Sequence, residues 1–151
     1  MKVYVAASFA YSDKDKTAQR KQDIEGIVNK IKTKYVDCFD FYLPHQLKIV
    51  NAWDYSLETW ANMVFTHDIE ALNDSDLVIF ISYGKENNAG AVWECGYAFA
   101  KQIPVIVIKM TDYIESLMVT SSAHAIITQN EISQYDFYKL PQYKTVLHKI
   151  S

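Results

Sequence analysis

Two continuous apolar segments constrain the fold of this chain more than any other feature. DLVIFIS at residues 76–82 and IPVIVIK at residues 103–109 lack the alternation of a half-exposed strand. Such runs are typical of strands that are buried on both faces of a parallel sheet. Pro104 stands near the start of the second run, where its missing backbone donor does little harm. The two segments therefore predict interior strands with helices above and below them.

Further strands alternate with amphipathic helices along the chain. Predicted strands lie at 2–8, 36–43 and 123–128, and predicted helices open at SDKDK and cover 54–74 and 89–102. This order predicts an α/β fold, a single domain over residues 1–151 with a flavodoxin-like or Rossmann-like, doubly wound parallel five-stranded sheet. In the first helix, apolar residues recur at the spacing of one buried face, namely Ile24, Ile27, Val28 and Ile31. Ligands of such sheets bind beyond the carboxyl ends of the strands, so the loops that follow the strands are candidate sites.

Composition excludes several classes of protein. Average usage would give about ten glycines in a chain of this length, but the 151 residues include only 4. No GxGxxG or Walker sequence is found among them, which argues against a dinucleotide or ATP cradle. The net charge of -3 argues against nucleic acid as the main partner.

The sequence also predicts the compartment. No apolar run approaches the roughly 20 residues that span a bilayer, and the first apolar stretch is too short for a signal peptide. Cys38 and Cys95 form no disulfide framework and no CxxC pair, so we expect two buried thiols in a reducing compartment. The four histidines show no metal-ligand spacing, and we expect no metal and no cofactor. A cytoplasmic domain without membrane contact follows from these observations.

Two carboxylates occupy helix faces that are otherwise small or apolar. Asp68 shares the face of Val64 and Leu72, and Glu94 lies one turn from Gly90 near the start of the third helix. Each acid has a simpler alternative. Asp68 could lie where the helix frays or could cap a neighbouring element, and Glu94 could be exposed. An ionised carboxylate on an apolar face is otherwise costly unless it is hydrogen-bonded. Cleavage of a glycosidic bond requires at least two carboxyl groups in distinct environments, one as the nucleophile and one as the acid.

At these residues the sequence resembles the nucleoside 2-deoxyribosyltransferase family. The resemblance is carried in collinear order by VYVAAS, LPHQLK, WANMVFTHDIEALNDSDLVIF, GAVWECGYAFA and SLM, and it covers about residues 2–128. It implies exchange of the base of 2′-deoxynucleosides, with purine bases first and pyrimidine bases left open. The implied partners are deoxynucleosides and free nucleobases, and the implied assembly is a homo-oligomer.

The resemblance also implies a role for individual residues. Glu94 would be the nucleophile that attacks C1′ of the deoxyribose, Asp68 would handle the proton of the base, and Tyr4 would hold Glu94 through its hydroxyl. Gln46 would face the base. Trp60 and Phe9 are expected to line the base pocket, and Gly90 and Gly96 to allow close approach of the sugar.

Several residues differ from the family pattern or have more than one possible role. Where this chain has Asn88, the transferases of the family have an aspartate and the related monophosphate N-glycosidases have a serine. Asn88 could bind a 5′-hydroxyl, hold a 5′-phosphate or cap the helix. His124 or Ala125 stands opposite an asparagine that relatives contribute across a subunit interface. We expect His45 to be an exposed loop residue, Lys85 to be solvated and Trp93 to pack in the core.

Two other functions stay open at this stage. A hydrolase of the same fold would release the base from a deoxynucleoside or its 5′-monophosphate, with water in place of the second base. A flavodoxin-like domain that binds a nucleotide without turning it over would have no need of Glu94.

Overall fold

The computed structural model describes residues 1–9, 12–86 and 88–139 and contains one five-stranded parallel sheet in the order β2-β1-β3-β4-β5. The strands are β1 (Lys2–Ala7), β2 (Asp40–Tyr42), β3 (Leu77–Ser82), β4 (Val105–Lys109) and β5 (Ala125–Thr128). The helices are α1 (Lys14–Lys34), α2 (Leu57–Asn73), α3 (Ala89–Ala100) and α4 (Leu117–Ser122). The predicted parallel five-stranded α/β fold is confirmed.

Two apolar layers enclose the sheet because alternate side chains of each strand point to opposite faces. On one face, Ile79 and its strand neighbours pack against the predicted stripe of α1, including Ile24 and Ile31. On the other, Phe80 packs with residues of the remaining helices, including Ala98 of α3. Strand β3 is buried along its whole length, as its continuous apolar run predicts. The helices therefore cover both faces, which makes the sheet doubly wound.

Local signals explain where the elements begin and end. The side chain of Asp13 accepts a hydrogen bond from the backbone N–H of Lys16 and caps α1. Ser56 caps α2 in the same way, so this helix begins later than the predicted residue 54. Strand β2 is only three residues long instead of covering 36–43, since Asp37 takes a positive φ of 57° in the turn that precedes it.

Some expected burial is wrong. The helix face of α2 that carries Asp68 is fully buried only at Leu72, whereas Leu57 on the same face is 79% exposed and Phe65, which lies beside that face, is 55% exposed. Cys95 is buried as expected, but Cys38 is an exposed free thiol. In the described part of the chain, no helix is both long and apolar enough to cross a membrane.

Candidate active site

A cleft of about 570 Å³ opens at the carboxyl edge of the sheet. Strands β1 and β3 are neighbours, but the chain leaves β1 toward α1 on one face and leaves β3 toward α3 on the other. Such a change of direction creates a crevice between the two loops, which is where open α/β sheets bind ligands. The cleft is lined by Ala7 and Ser8 on one side, by Gly90 and Glu94 on the other, and by Asp68. Both predicted acids therefore face one cavity.

Glu94 projects from α3 and is held by a tyrosine of β1. The hydroxyl of Tyr4 donates a hydrogen bond of 2.7 Å to Oε1 of Glu94. Burial raises the pKa of Glu94 to about 7, the Tyr4 hydrogen bond opposes this rise, and the charge of Asp68 adds to it. Burial, followed by the nearby Glu94 charge, raises the pKa of Tyr4, which keeps its hydroxyl a donor. The result is a carboxylate of fixed orientation that changes protonation near neutral pH.

Asp68 is held by a second tyrosine, which the sequence patterns do not predict. The hydroxyl of Tyr42 donates to Oδ1 of Asp68 at 2.9 Å. Burial raises the pKa of Asp68 above its ordinary value, against the effect of this hydrogen bond. Tyr42 is the register partner of Tyr4 in the adjacent parallel strand, and the two rings stack at 5.4 Å. No sequence pattern reveals Tyr42, because its alignment with Tyr4 depends on the register of β1 and β2.

This arrangement suits nucleophilic displacement followed by proton transfer. Glu94 offers a poorly solvated carboxylate that can act as a nucleophile, and burial raises the pKa of Asp68, a second carboxyl group that could exchange a proton with a base. The two acids differ in partner and in environment, the pattern that separates nucleophilic from acid-base roles.

Phe9 and Gly90 both line the cleft, and their contacts with a base and a sugar stay predictions. The ring of Phe9 is mostly buried and lies 5.3 Å from the ring of His45. The expectation of an exposed His45 is wrong, because its side chain is only 6% exposed, and burial lowers its pKa. Gly90 has open space where a Cβ would lie, so a ligand can approach its backbone.

Asn88 occupies the N-cap position of α3, but its side chain makes no capping hydrogen bond. The simple capping role is therefore not the role that the structure gives it. The residue directly precedes the part of α3 that lines the cleft, beginning with Ala89. Its neutral amide can donate to or accept from a substrate group.

Two predicted base contacts lie elsewhere. Trp60 lines outer grooves near Tyr55 and near Pro44, and it is absent from the described residues that line the cleft. Gln46 is exposed and donates to Glu25 at 3.3 Å. Gln46 lies in the segment that follows β2, whereas Trp60 lies in the first turn of α2. Base contacts by these residues stay predictions.

Three further residues lie in places other than those expected from the sequence. Trp93 is not in the core: it is 51% exposed and stacks on Tyr97. Gly96 lines a groove between α3 and α4 instead of the cleft, although its surroundings are open. His124 lies where β4 begins, and its Nδ1 accepts a hydrogen bond from the N–H of Val105. It is therefore at the amino edge of the sheet, away from the cleft.

The loop after β3 is tied to the segment after β4. The hydroxyl of Ser82 donates to the carboxylate of Glu115, and both side chains are buried. The N–H of Gly84 donates to the same hydroxyl at 3.2 Å, and Gly84 has a positive φ of 99° against the side chain of Tyr113. These contacts fix the start of the loop that leads to Asn88.

Comparison with protein families identifies the group to which this site belongs. Residues 3–131 match the sequence profile of the family described as nucleoside 2-deoxyribosyltransferase. The chain belongs to the nucleoside 2-deoxyribosyltransferase family. The match runs from the second residue of β1 past the end of β5 and contains Tyr4, Asp68 and Glu94, so the nucleoside 2-deoxyribosyltransferase resemblance seen in the sequence is confirmed.

Solved structures agree with this family fold. A 2-deoxyribosyltransferase from Bacillus psychrosaccharolyticus is 26% identical, with a TM-score of 0.74 over 95% of this chain and 98% of that chain. A conserved protein from Enterococcus faecalis V583 is 19% identical, with a TM-score of 0.61 over 89% and 98%. A CMP N-glycosidase from Clostridium botulinum is 17% identical, with a TM-score of 0.58 over 89% and 96%; the last two show the fold alone. A comparison with curated protein sequences finds no match.

Proposed function

We propose that this protein is a nucleoside 2′-deoxyribosyltransferase that exchanges the base of 2′-deoxynucleosides through a covalent deoxyribosyl–Glu94 intermediate. One observation carries the proposal: two carboxylates, each held by its own tyrosine, line the same cleft. The family and the 26% identical 2-deoxyribosyltransferase support the same reaction class. Purine bases are the first substrates to test, followed by pyrimidine bases.

In the first displacement, an oxygen of Glu94 forms a bond to C1′ while the bond between C1′ and the base nitrogen breaks. The base leaves with the electron pair and receives a proton from Asp68, whose pKa is raised by burial. Tyr4 keeps the attacking carboxylate aligned through its 2.7 Å hydrogen bond.

In the second displacement, a nitrogen of the incoming base attacks C1′ and the bond to Glu94 breaks. The proton lost by the incoming base returns to Asp68, so each cycle restores both acids. Two inversions at C1′ give net retention of configuration. Phe9 offers a ring to stack on the base, and Gly90 gives the sugar room beside α3.

A hydrolase that acts on deoxynucleosides or their 5′-monophosphates is the second candidate. The same glycosyl-enzyme would then be resolved by water instead of a second base. The neutral amide of Asn88, which makes no capping hydrogen bond, can donate to a hydroxyl or to a phosphate. The third candidate is a domain that binds a nucleotide without catalysis. In that case Glu94 would not be needed for function.

One experiment separates these functions. The protein is incubated with deoxyinosine plus adenine, and separately with deoxynucleoside 5′-monophosphates, and the products are resolved by chromatography. New deoxyadenosine supports transfer, whereas free base with deoxyribose or its 5-phosphate supports hydrolysis. Glu94→Ala should abolish either reaction. Full activity in this variant would refute the assigned nucleophile.

We also propose a homo-oligomer in the cytoplasm. Several large apolar side chains are exposed on α2, α3 and α4, among them Phe65, Trp93 and Met118, and their burial between subunits would stabilise an assembly. The exposed free thiol of Cys38 fits a reducing compartment. Light scattering coupled to size exclusion tests the assembly, and a monomer at micromolar concentration would contradict it.

A further inference from the structure

A compact group of charges connects α1 to the loop between β3 and α3. Nζ of Lys16 lies 2.8 Å from Oε2 of Glu86, and Nη2 of Arg20 lies 3.5 Å from the same oxygen. The Arg20 side chain is only 5% exposed, and its Nη1 donates to the carbonyl oxygen of Ser8 at 3.0 Å. Its guanidinium also lies 4.6 Å from the centre of the Tyr83 ring. The buried cation is therefore fixed in place, and Glu86 is its acidic neighbour.

This group lies beside one end of the cleft. Ser8, whose carbonyl accepts from Arg20, is a cleft residue, and so is Ser12 at the approach to α1. Glu86 comes two positions before Asn88 and three before Ala89, which also lines the cleft. The charges thus join the two loops between which a substrate must enter, on the side where Asn88 stands.

The charges at this end of the cleft are already paired with one another. Lys16 and Arg20 are the types of cation that bind phosphate, but their charges already face Glu86. The hydrogen bond from Lys16, followed by its charge, lowers the pKa of Glu86 and keeps the carboxylate ionised at neutral pH. Asp13 adds a second negative charge nearby. The Glu86 side chain is half-exposed, whereas that of Arg20 is buried, so a phosphate that approached Arg20 would also be repelled by the Glu86 carboxylate.

We propose that Glu86 determines the specificity for the 5′ group of the substrate. Its carboxylate occupies the cations that a 5′-phosphate would need and repels the phosphate, whereas a neutral 5′-hydroxyl enters without repulsion and reaches Asn88. This inference rests on the proposed function and selects the substrate class within it: 2′-deoxynucleosides with a free 5′-hydroxyl, in preference to 5′-monophosphates.

The test compares kcat/KM for deoxyadenosine and for its 5′-monophosphate in the wild type, Glu86→Gln and Glu86→Asp. The wild type should prefer the nucleoside, and Glu86→Gln should raise the relative use of the monophosphate by about tenfold or more. Glu86→Asp keeps the charge and should keep the preference. Glu70→Gln, an exposed carboxylate of α2, controls for net charge and should leave the preference unchanged. Raised salt should reduce the gain in Glu86→Gln.

Equal preference in the wild type, an unchanged ratio in Glu86→Gln, or the same shift in Glu86→Asp would overturn the proposal. Calorimetric binding of the monophosphate to Glu94→Gln and to Glu86→Gln/Glu94→Gln keeps the test independent of turnover. The double variant should bind about tenfold more tightly. Absence of turnover with both substrates in the wild type would refute the proposed function, while the binding comparison would still decide the role of Glu86.

Discussion

The hydroxyl of Tyr4 and the carboxylate of Glu94 are joined by a hydrogen bond of 2.7 Å between residues that are 90 positions apart in the sequence. A second pair, Tyr42 and Asp68, repeats this arrangement at 2.9 Å, and the two tyrosine rings stack on each other. The acids are thus oriented from one wall of aromatic side chains on adjacent strands. Each tyrosine can be altered separately, which allows the role of each acid to be tested.

Tyr4→Phe should lower kcat while the protein stays folded. A hydrogen bond to a charged group contributes about 1.5–3 kcal/mol, so we expect a loss of roughly 10- to 150-fold in kcat, because the bond favours the ionised nucleophile. Tyr42→Phe is the matched control, since it removes the same group from Asp68 instead. Steady-state kinetics over a range of pH should show the acid limb moving to higher pH in Tyr4→Phe but not in Tyr42→Phe. Identical profiles for both variants would contradict separate roles.

Ionisation of Glu94 should control both the rate and the stability of the protein. The nucleophile must be ionised, and its pKa is about 7, so the rate of glycosyl-enzyme formation should rise as the pH increases through about 7. Stability changes in the opposite direction. Because the pKa in the folded state is above the ordinary value of 4.5, this group favours folding below pH 4.5 and that contribution is lost as the pH rises to about 7.

Glu94→Gln should therefore be more stable than the wild type at pH 8, by up to about 3 kcal/mol, and equally stable at pH 4. Urea unfolding at the two pH values measures the difference. The variant should have no transferase activity at either pH. Equal stability at pH 8 would show that the carboxylate is solvated and not held in a buried, unfavourable environment.

Asp68→Asn should lose activity in proportion to the need of the leaving group for a proton. We expect a loss of about 100-fold or more for deoxyadenosine, in the range of general acid catalysis. The base of 7-methyl-2′-deoxyguanosine is already positively charged and needs no proton to leave. The rate at which this base is released should therefore decrease much less in Asp68→Asn. Product release measured for both substrates in the wild type and in Asp68→Asn gives the comparison. An equal loss with both substrates would assign Asp68 to binding instead of proton transfer.

Gly84→Ala should destabilise the protein by about 1–3 kcal/mol. The added Cβ would lie 3.2 Å from the Cβ of Tyr113, and the backbone φ of 99° disfavours a side chain. Because the loop leads to Asn88, KM for the nucleoside should rise as well. Gly26→Ala is the control: this exposed position in α1 has open surroundings, so alanine should stabilise the helix by about 0.5–1 kcal/mol. Urea midpoints that moved in the same direction would contradict this account.

The sheet and the two acids could be predicted because their signals are local and strong. The continuous run that became β3 has no place except the interior of a sheet, and Asp68 and Glu94 stood out against apolar helix faces. Knowledge of a parallel sheet then brings both acids to one edge. The partnership of Tyr4 with Glu94 followed from the family resemblance, and the hydrogen bond fits it.

Other features depend on contacts between distant segments, which sequence patterns do not report. Tyr42 becomes the partner of Asp68 only through the register of β1 and β2. The apolar face of α2 favoured burial, but a helical stripe does not indicate whether the surface that covers it belongs to the same chain, and Leu72 is its only fully buried residue. Trp60 has the right helical spacing from Asp68, yet it lines outer grooves instead of the cleft.

The long separation between Tyr4 and Glu94 has a consequence for how the active protein appears during refolding. Strand β1 must pair with β3 across the intervening α1, β2 and α2 before the two side chains can meet, and such non-local pairings form slowly. Helices can recover their far-ultraviolet signal earlier, from local contacts. Recovery of catalytic activity after dilution from denaturant should therefore lag behind recovery of helical structure, so that activity reports the completion of the central strand pairing.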